Sequence, residues 1–413
     1  MQERRVVITG VGAVTPIGVG KEELWRGILE GRRGVRAIGL FDASAYPTRM
    51  AAEVGDFDPL DHLDAKRARR LDRCSQFGLA AARMAVADAR LDMAREARER
   101  VGVYIGSALG GISYAEEQHT DFVEGGLRHV SPMLALAVFG GANAANISME
   151  LGACGPSAGN ANSCASGAIG VGDAFRAIKR GDIDAAVAGG AEAPIAPLTF
   201  GAFAVIKAMS QRNDDPATAS RPFDRDRDGF VMGEGAGILV LEEREHALRR
   251  DAPIYGEVRG FGVTSDAYHM TAPRPDGSQA TRAMRLAIEE AGLVATDIDY
   301  IAAHASSTVL NDSTETLAIK QALGGHAYRI PISGTKGMHA HALGASGAIE
   351  LAICALMLQR GVLPATVNLF DPDPACDLDY IRDHPVERRV MHLLKNSFGF
   401  GGSNASLVLR RAD

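Results

Sequence analysis

Short apolar runs that end in glycine turns punctuate this chain, and between them lie longer stretches with apolar residues at helical spacing. Val6 to Ile8 reads as a buried strand ending in the turn Thr9-Gly10-Val11-Gly12, and Lys21 to Glu30 as an amphipathic helix that carries the single tryptophan, Trp25. Gly31 to Pro59 has the composition of a loop. The segment that follows Asp64 reads as one long helix with Leu71, Phe77, Leu79, Met84 and Val86 on its apolar positions. Val101 to Ile105 is a strand closed by Gly106-Ser107-Ala108-Leu109-Gly110-Gly111. Ala185 to Ala188 is another, ending at Gly189-Gly190-Ala191-Glu192, and Ile238 to Leu241 and Ile254 to Arg259 continue the pattern. Short apolar strands alternating with helices predict an α/β fold with a mainly parallel sheet flanked by helices.

The pattern repeats. Ala165-Ser166-Gly167-Ala168-Ile169 returns as Ala345-Ser346-Gly347-Ala348-Ile349, and Arg180-Gly181 at the end of that helix returns as Arg360-Gly361 at the same offset. Gly10-Val11-Gly12 and Gly260-Phe261-Gly262 also match after a β run, and Val101 to Gly106 resembles Tyr300 to His304. The simplest account is two copies of one set of βα units, residues 1–250 and 251–413, packed face to face; chance similarity between helices rich in glycine and alanine would explain the match without duplication.

Composition narrows the function classes. The chain has 413 residues, 46% hydrophobic and 23% charged, which is ordinary for a globular enzyme-sized protein. A net charge of -7 gives no global reason to expect nucleic acid or an anionic membrane as a partner. The five cysteines, Cys74, Cys154, Cys164, Cys354 and Cys376, are widely spaced with no CxxC pair, which predicts neither a disulfide framework nor a zinc site and fits a reducing cytoplasm. The N-terminus carries no cleavable apolar leader, and the apolar helix from Gly347 to Leu358 is interrupted by Glu350, so no membrane insertion is expected.

Candidate chemistry centres on Gly159 to Gly172, where turn formers run into a helix of small apolar residues and leave Cys164 at its N-terminus. The partial positive charge there is expected to lower a thiol from about 8.5 towards neutrality and expose a nucleophilic thiolate. Local sequence alone leaves a packing cysteine equally open. His304 follows the run Tyr300-Ile301, at the C-terminal end of a strand, where α/β folds keep their sites. His341 opens the repeated helix, with Lys336 five residues before it. A thiol, two imidazoles and an ammonium are thus predicted at one edge of two related halves. The glycine-rich turn Asn396 to Asn404 adds free backbone N–H groups able to bind an oxyanion.

These motifs carry a family resemblance. SCASG around Cys164, GGAE at Gly189 to Glu192, RPFDRDRDGFVMGEGAGILVLE from Arg221, SDAYHMTAP from Ser265, His304, KGMHAHALGASGAIE with Lys336 and His341, and NSFGFGGSN together resemble a β-ketoacyl-[acyl carrier protein] synthase of the type II class. The similarity runs in order over essentially the whole chain. It implies the thiolase-like duplicated α-β-α-β-α layered sandwich and a decarboxylative Claisen condensation in fatty acid elongation, in two ping-pong half-reactions. Cys164 would hold the acyl chain as a thioester, and His304 and His341 would hydrogen-bond the malonyl thioester oxygen. Two neutral imidazole donors suit this step, because decarboxylation needs a stabilised enolate rather than a strong base. Phe400 would gate the pocket and share the oxyanion with Cys164. Lys336 would orient the set with Glu350 as its carboxylate, and Asp312 and Glu315 match acidic positions beyond His304.

The resemblance also implies an acyl pocket touching Leu109 and Phe203, with Met133 and Leu134 contributed across a dimer interface, and a pantetheine channel at Thr271, Ser306 and Thr308. No resident cofactor or metal is expected, since phosphopantetheine arrives on the acyl carrier protein. Lys66, Arg69 and Arg70, spaced to share a helix face, would with Arg128 and Lys207 form the docking surface for that acidic partner, although a solvated charged face explains the run too. Several residues depart from the family pattern: Ala305 and Ala340 stand where glycine is usual, Ser306 for threonine, Gly337 for serine and Ala272 for a hydroxyl residue. None removes a catalytic group, but they leave open a ketosynthase of a type II polyketide or other secondary pathway working with a chain-length partner, and so a heterodimer instead of a homodimer. A carrier-protein-binding scaffold without turnover and a biosynthetic thiolase would share parts of the pattern. The retained cysteine and histidines speak against the scaffold, and the absence of a cysteine in NSFGFGGSN against the thiolase.

Overall fold

In the computed structural model, which describes residues 4–412, ten strands form one continuous sheet. In chain order they are β1 (Val6–Thr15), β2 (Val101–Gly106), β3 (Ser157–Asn160), β4 (Ala185–Glu192), β5 (Gly235–Glu243), β6 (Gly256–Ser265), β7 (Tyr300–Ala302), β8 (Ile332–Ser333), β9 (His392–Gly399) and β10 (Ser403–Arg411). The short strand Gly18–Val19 pairs with β1 off this path. The helices used below are α1 (Lys21–Leu29), α2 (Ala65–Ala68), α3 (Arg73–Asp88), α4 (Ala142–Leu151), α5 (Ser166–Arg180), α6 (Ser278–Glu290), α7 (Val309–Leu323), α8 (Lys336–His339) and α9 (Leu343–Arg360).

The strand order is β8-β7-β9-β10-β6-β1-β5-β4-β2-β3. Outward from the β1–β6 seam, the first half runs β1-β5-β4-β2-β3 and the second β6-β10-β9-β7-β8, the same order with the same directions. In each half the two inner pairings are antiparallel and the two outer ones parallel, so the expected mainly parallel sheet is in fact mixed. Apolar runs alone do not encode direction; the antiparallel pairs come from β5 and β10, which return beside the first strand of their own half.

Alternate side chains sort into layers. In β5, Ile238 and Val240 face α3 and α4, while Leu239 and Leu241 face the central helices α5 and α9. In the second half Leu393 and Leu407 face the centre, and Leu394 and Val408 pack under α6 and α7. The layers are therefore helix, sheet, helix pair, sheet, helix. A helix between two sheets needs apolar residues all round, and α9, long and apolar enough by composition to cross a membrane, is 89% buried within the protein.

Glycines permit these close approaches. A Cβ on Gly10 or Gly12 would lie 2.1 or 2.0 Å from the carbonyl oxygens of Ala85 and Ala81 on α3, and on Gly260 or Gly262 it would lie 2.0 or 1.9 Å from those of Ala287 and Ala283 on α6. The same device thus recurs in both halves, and it also corrects a boundary: Gly10 and Gly12 lie inside β1, which continues to Thr15 through a bulge between Ile8 and Gly10. Gly189 to Glu192 likewise belongs to β4 instead of closing it.

The expected long helix after Asp64 is two helices. Asp64 caps α2, which stops at Ala68, and the Asp72 carboxylate accepts the Ser75 N–H to start α3. Lys66, Arg69 and Arg70 therefore do not share a helix face: Arg69 is the C-cap of α2 and Arg70 lies in the link. Of the same basic run, Arg67 pairs with Glu150 at 3.3 Å and Arg73 with Glu234 at 2.6 Å.

Gly262→Ala is expected to lower unfolding free energy by roughly 3 kcal/mol, because the methyl meets backbone that cannot step aside. Gly55→Ala, with nothing within 4 Å of its Cβ, is expected to stay within about 0.5 kcal/mol in the same denaturant titration. Equal midpoints for the two variants would contradict the packing argument.

Candidate active site

Cys164 lies in a tight turn, Ser163–Ala165, that leads directly into α5. Ser163 takes a left-handed φ of 51°, and the Ser166 hydroxyl donates to the Ser163 carbonyl at 2.7 Å, closing the turn. The glycine-rich turn after β9 packs on it: a Cβ on Gly399 would lie 3.0 Å from the Cys164 nitrogen. The Phe400 N–H and the cysteine's own N–H both interact with the thiol. Helix placement does not leave this thiol near neutrality as expected. Burial pushes it up to about 11, against the lowering influence of the Phe400 N–H and the Lys336 ammonium. The resting group is therefore a thiol, not a thiolate.

His304 follows β7 by two residues and is fixed through its backbone. Glu315 on α7 accepts the His304 and Ala305 N–H groups, each at 2.8 Å, and the Asn396 amide at 3.2 Å. Lys336 donates to the His304 carbonyl and pairs with Glu350 of α9 at 2.5 Å, both side chains being buried. Asp312 accepts the N–H groups of Phe223 and Ser307 at 2.9 and 3.2 Å and faces the Arg227 guanidinium at 3.7 Å. Asp312 and Glu315 thus hold the loop that follows His304 from one helix.

His341 enters from the segment before α9. Its N–H donates to the Val231 carbonyl at 2.9 Å and its carbonyl accepts from Gly233 at 3.0 Å, which is where the stretch from Arg221 meets the site. Nδ1 lies 2.8 Å from the Ser346 hydroxyl, leaving Nε2 for the cleft. The two imidazole rings stand 5.4 Å apart at 81°, and Phe230 meets His341 edge-on at 5.4 Å. Burial, then the Lys336 charge, holds both histidines well below the usual imidazole range, so both are neutral at physiological pH.

Cys164, His304 and His341 line one cleft of about 260 Å³ together with Phe400, Thr271, Ser306, Thr308 and Lys207, while Lys336 and Glu350 lie behind it. Ser306 and Thr308 hydroxyls are 3.0 Å apart. Leu109 and Phe203 pack against the apolar cluster that contains Cys164, Phe200, Met209 and Phe230, and Phe203 stacks on Phe400 at 6.4 Å. Met133 and Leu134 are not brought to Cys164 within the chain. Met133 lines a separate surface hollow with Lys66 and Arg70, and Leu134 begins a short helix beside it. Arg69 lines a neighbouring cleft, and Arg128 is exposed in a turn.

Three residues escaped the sequence reading. Glu192, at the end of β4, accepts the N–H groups of Ala108, Leu109 and Gly344 at 2.6, 3.1 and 2.9 Å and the Ser107 hydroxyl at 3.0 Å, with burial raising it to about 7. It ties the Leu109 loop to the start of α9. Ser346 lies within the recognised repeat but gave no sign of its imidazole partner. Lys395, fully buried on β9, stands 2.8 Å from Glu350; a lysine directly after Leu393-Leu394 is the sequence signal for it. The departures at Ala305 and Ala340 also acquire a cost, since their φ values of 46° and 58° lie in the left-handed region.

Two family models match the chain in succession: Beta-ketoacyl synthase, N-terminal domain, over residues 3–247, and Beta-ketoacyl synthase, C-terminal domain, over 255–370. Among named relatives, a "3-oxoacyl-[acyl-carrier-protein] synthase 2" of Synechocystis sp. is 46% identical over 411 residues, covering 100% of this chain and 99% of the relative. One of the same name from Coxiella burnetii is 43% identical with the same coverage. Among solved structures, a beta-ketoacyl synthase from Burkholderia phymatum superposes with a TM-score of 0.92 at 36% identity, over 99% of this chain and 100% of that one. A type II polyketide ketosynthase in complex with its acyl-carrier protein superposes at 0.93 and 35% identity, over the whole of both chains.

His339, between Lys336 and His341, is held by burial at about 4 and so is neutral in the fold, whereas the unfolded chain binds a proton below about 6.5. Its contribution to stability is full above pH 6.5 and is lost as pH falls towards 4, by roughly 3 kcal/mol in all. Glu192 works in the opposite sense between its unfolded value and about 7. His339→Gln is therefore expected to flatten the acid side of a plot of unfolding free energy against pH; a slope parallel to that of the unaltered protein would refute the assignment.

Proposed function

Because this chain belongs to the β-ketoacyl synthase family, we propose that it lengthens an acyl chain held on Cys164 by decarboxylative Claisen condensation with malonyl-acyl carrier protein, releasing 3-oxoacyl-acyl carrier protein in fatty acid elongation. In the first half-reaction the Cys164 sulfur attacks the acyl thioester carbonyl, and the departing pantetheine sulfur takes up the thiol proton. The tetrahedral oxyanion lies at the N–H groups of Phe400 and Cys164. In the second, the malonyl carboxylate leaves as carbon dioxide and its bonding electrons pass to an enolate whose oxygen accepts from His304 and His341. The enolate carbon then attacks the acyl carbonyl, a carbon–carbon bond forms, and Cys164 departs as thiolate and is reprotonated.

The observation that carries this reading is the pair of buried neutral imidazoles, 5.4 Å apart on one wall of the Cys164 cleft. Neutral imidazoles donate to an oxyanion without delivering a proton that would quench the carbanion. The halves 1–250 and 251–413 divide the work, the first carrying the nucleophile and the second the histidines and Lys336. No resident cofactor or metal enters the scheme, and five free cysteines fit a cytoplasmic location.

For the partner, Lys207 and the exposed Ile206 line the cleft, while Lys66, Arg69, Arg70 and Arg128 supply positive charge on a protein of net charge -7. That combination suits an acidic carrier domain. The second part of the reading is a homodimer joined through the exposed edge strand β3, supported by the exposed Leu136, Val138, Phe139 and Met149 in and around the segment that leads into α4, the helix packed beside it. The polyketide neighbours keep a heterodimer with a chain-length partner as the second reading.

Incubation with acyl-carrier protein substrates is expected to add an acyl mass to Cys164, and later malonyl-carrier protein to release carbon dioxide, from a species sedimenting at twice the chain mass of 43.5 kDa. Neither acylation nor release would overturn the reading, and acylation without release in the homodimer would favour the heterodimer. Reversing charge with R69E/R70E is expected to raise KM for the carrier substrate about fivefold at low salt with little change in kcat. An unchanged KM would remove those two arginines from the docking surface.

A further inference from the structure

The condensation scheme uses one lysine, yet the site holds two. Lys395 lies on β9 between Leu394 and Asn396, with no side-chain exposure, in a strand buried from Leu393 to Phe398. An ammonium in that position must find several acceptors, because an unpaired buried charge costs several kcal/mol. It donates to the Ser397 hydroxyl at 3.2 Å and to the Asn396 carbonyl, and it faces Glu350 Oε2 at 2.8 Å as an ion pair. The other oxygen of Glu350 is held by Lys336 at 2.5 Å. One carboxylate therefore sits between two ammonium groups, and all three are buried.

We infer that Lys395 is a positioning residue of the condensation site, whose ammonium leaves the buried Lys336–Glu350–Lys395 cluster with one net positive charge behind His304 and His341. A single lysine on Glu350 would make a neutral pair. The second turns the pair into a source of positive potential, in surroundings where little water screens it. That potential acts on both imidazoles in the same direction: it opposes their protonation, keeping each an N–H donor, and it favours the negative charge that develops on the enolate oxygen they hold. Lys395 touches neither histidine nor substrate; it acts through Glu350 and through the field of the cluster. Its place on β9 also anchors Glu350 of α9 to the strand that ends in the Phe400 turn, so one side chain links the enolate wall to the oxyanion turn.

Other titratable groups surround the two histidines. His304 is faced by Lys336, Lys395 and His341, and His341 by Lys336, Lys395 and His339. Glu315 on α7 and Cys354 on α9 also feel the Lys395 charge. Cys164, Lys207, Asp228, Asp266 and His269 line the same cleft. Of these, Lys395 is the charged group whose removal converts the cluster from net positive to neutral while leaving the Lys336–Glu350 pair in place.

The enolate role rests on the proposed condensation, so the test has one arm independent of activity. Histidine-labelled protein is titrated by NMR as the unaltered chain, as K395M, which keeps the length without the charge, and as K395R, which keeps the charge. In K395M both His304 and His341 are expected to begin protonating at least half a pH unit higher, roughly, and in K395R at the unaltered position. Carbon dioxide release from malonyl-carrier protein is followed over the same pH range. Its acid limb is expected to move up with the histidines, and its rate in K395M to fall roughly tenfold further than the rate of Cys164 acylation. K395Q takes the place of K395M should the latter not fold. Unmoved histidine titrations in a folded neutral variant overturn the inference, as does a shift that K395R fails to reverse. Shifted titrations in a protein whose unaltered form releases no carbon dioxide uphold the charge cluster and defeat the condensation reading instead.

Discussion

The contact between α5 and α9 is the constraint on which the rest of this structure depends. A Cβ on Gly167 would lie 2.8 Å from the Ala348 Cβ, and one on Gly347 would lie 2.9 Å from the Ala168 Cβ, so each copy of the repeat offers its glycine to the other's alanine. Side chains this small let two helices approach backbone to backbone. Their N-terminal ends then meet near one point, and whatever precedes each helix is delivered there: Cys164 ahead of α5, His341 ahead of α9. The fold does not surround a site so much as create one where its two copies touch. Glu192 reinforces the junction, since its carboxylate accepts N–H groups from both the Leu109 loop and Gly344 at the start of α9.

Burial at that junction decides the protonation of every group in it. The same dry surroundings that hold two histidines neutral also raise the thiol to about 11, so the enzyme rests with its nucleophile protonated and its donors ready. These are compatible because the two half-reactions ask for different things. In the proposed scheme acylation exchanges one thiol for another, and the proton that leaves Cys164 has the departing thioester sulfur to receive it. Decarboxylation moves the carboxylate's charge onto the enolate oxygen, and there fixed dipoles in a water-poor cleft are worth most. A site tuned to lower the thiol further would need more positive charge beside the cysteine, whereas Lys336 is engaged with Glu350 and the His304 carbonyl.

Much of this was legible in the chain, and what was not has a common cause. The Ala-Ser-Gly-Ala-Ile repeat and the two Gly-x-Gly motifs located the duplication because close helix–helix and close helix–strand packing each demand small residues at fixed spacing. Cys164, His304, Lys336 and His341 stood out because each begins or ends an element with strong local signals. Strand direction did not, since β5 and β10 look the same in sequence whether they run parallel or antiparallel to their neighbours. The break after Ala68 was hidden by continuous helical periodicity across Arg69 to Leu71, although Asp72 was in place to cap a new helix. The thiol's environment was misjudged because a helix terminus is a local feature and burial is a tertiary one. Lys395 was passed over for the same reason: its partner, Glu350, is remote in sequence.

Backbone strain shows how firmly the junction is held. Each of the three side chains assigned to the proposed reaction has a neighbour other than glycine in the left-handed region: Ser163 at 51° before Cys164, Ala305 at 46° after His304, and Ala340 at 58° before His341. Each such residue costs about 1–2 kcal/mol and persists only where the surroundings over-determine it. The surroundings here are specific. Ser166 closes on the Ser163 carbonyl, Glu315 takes the Ala305 N–H, and Ala340 donates to the Lys336 carbonyl at 2.9 Å while its neighbour His341 bonds Val231. Glycine at 305 or 340 would relieve the strain and loosen the histidine beside it. Alanine keeps the strain and narrows the backbone freedom of the residue beside it, and at His304 the buried Glu315 carboxylate supplies the backbone bonds that hold the turn.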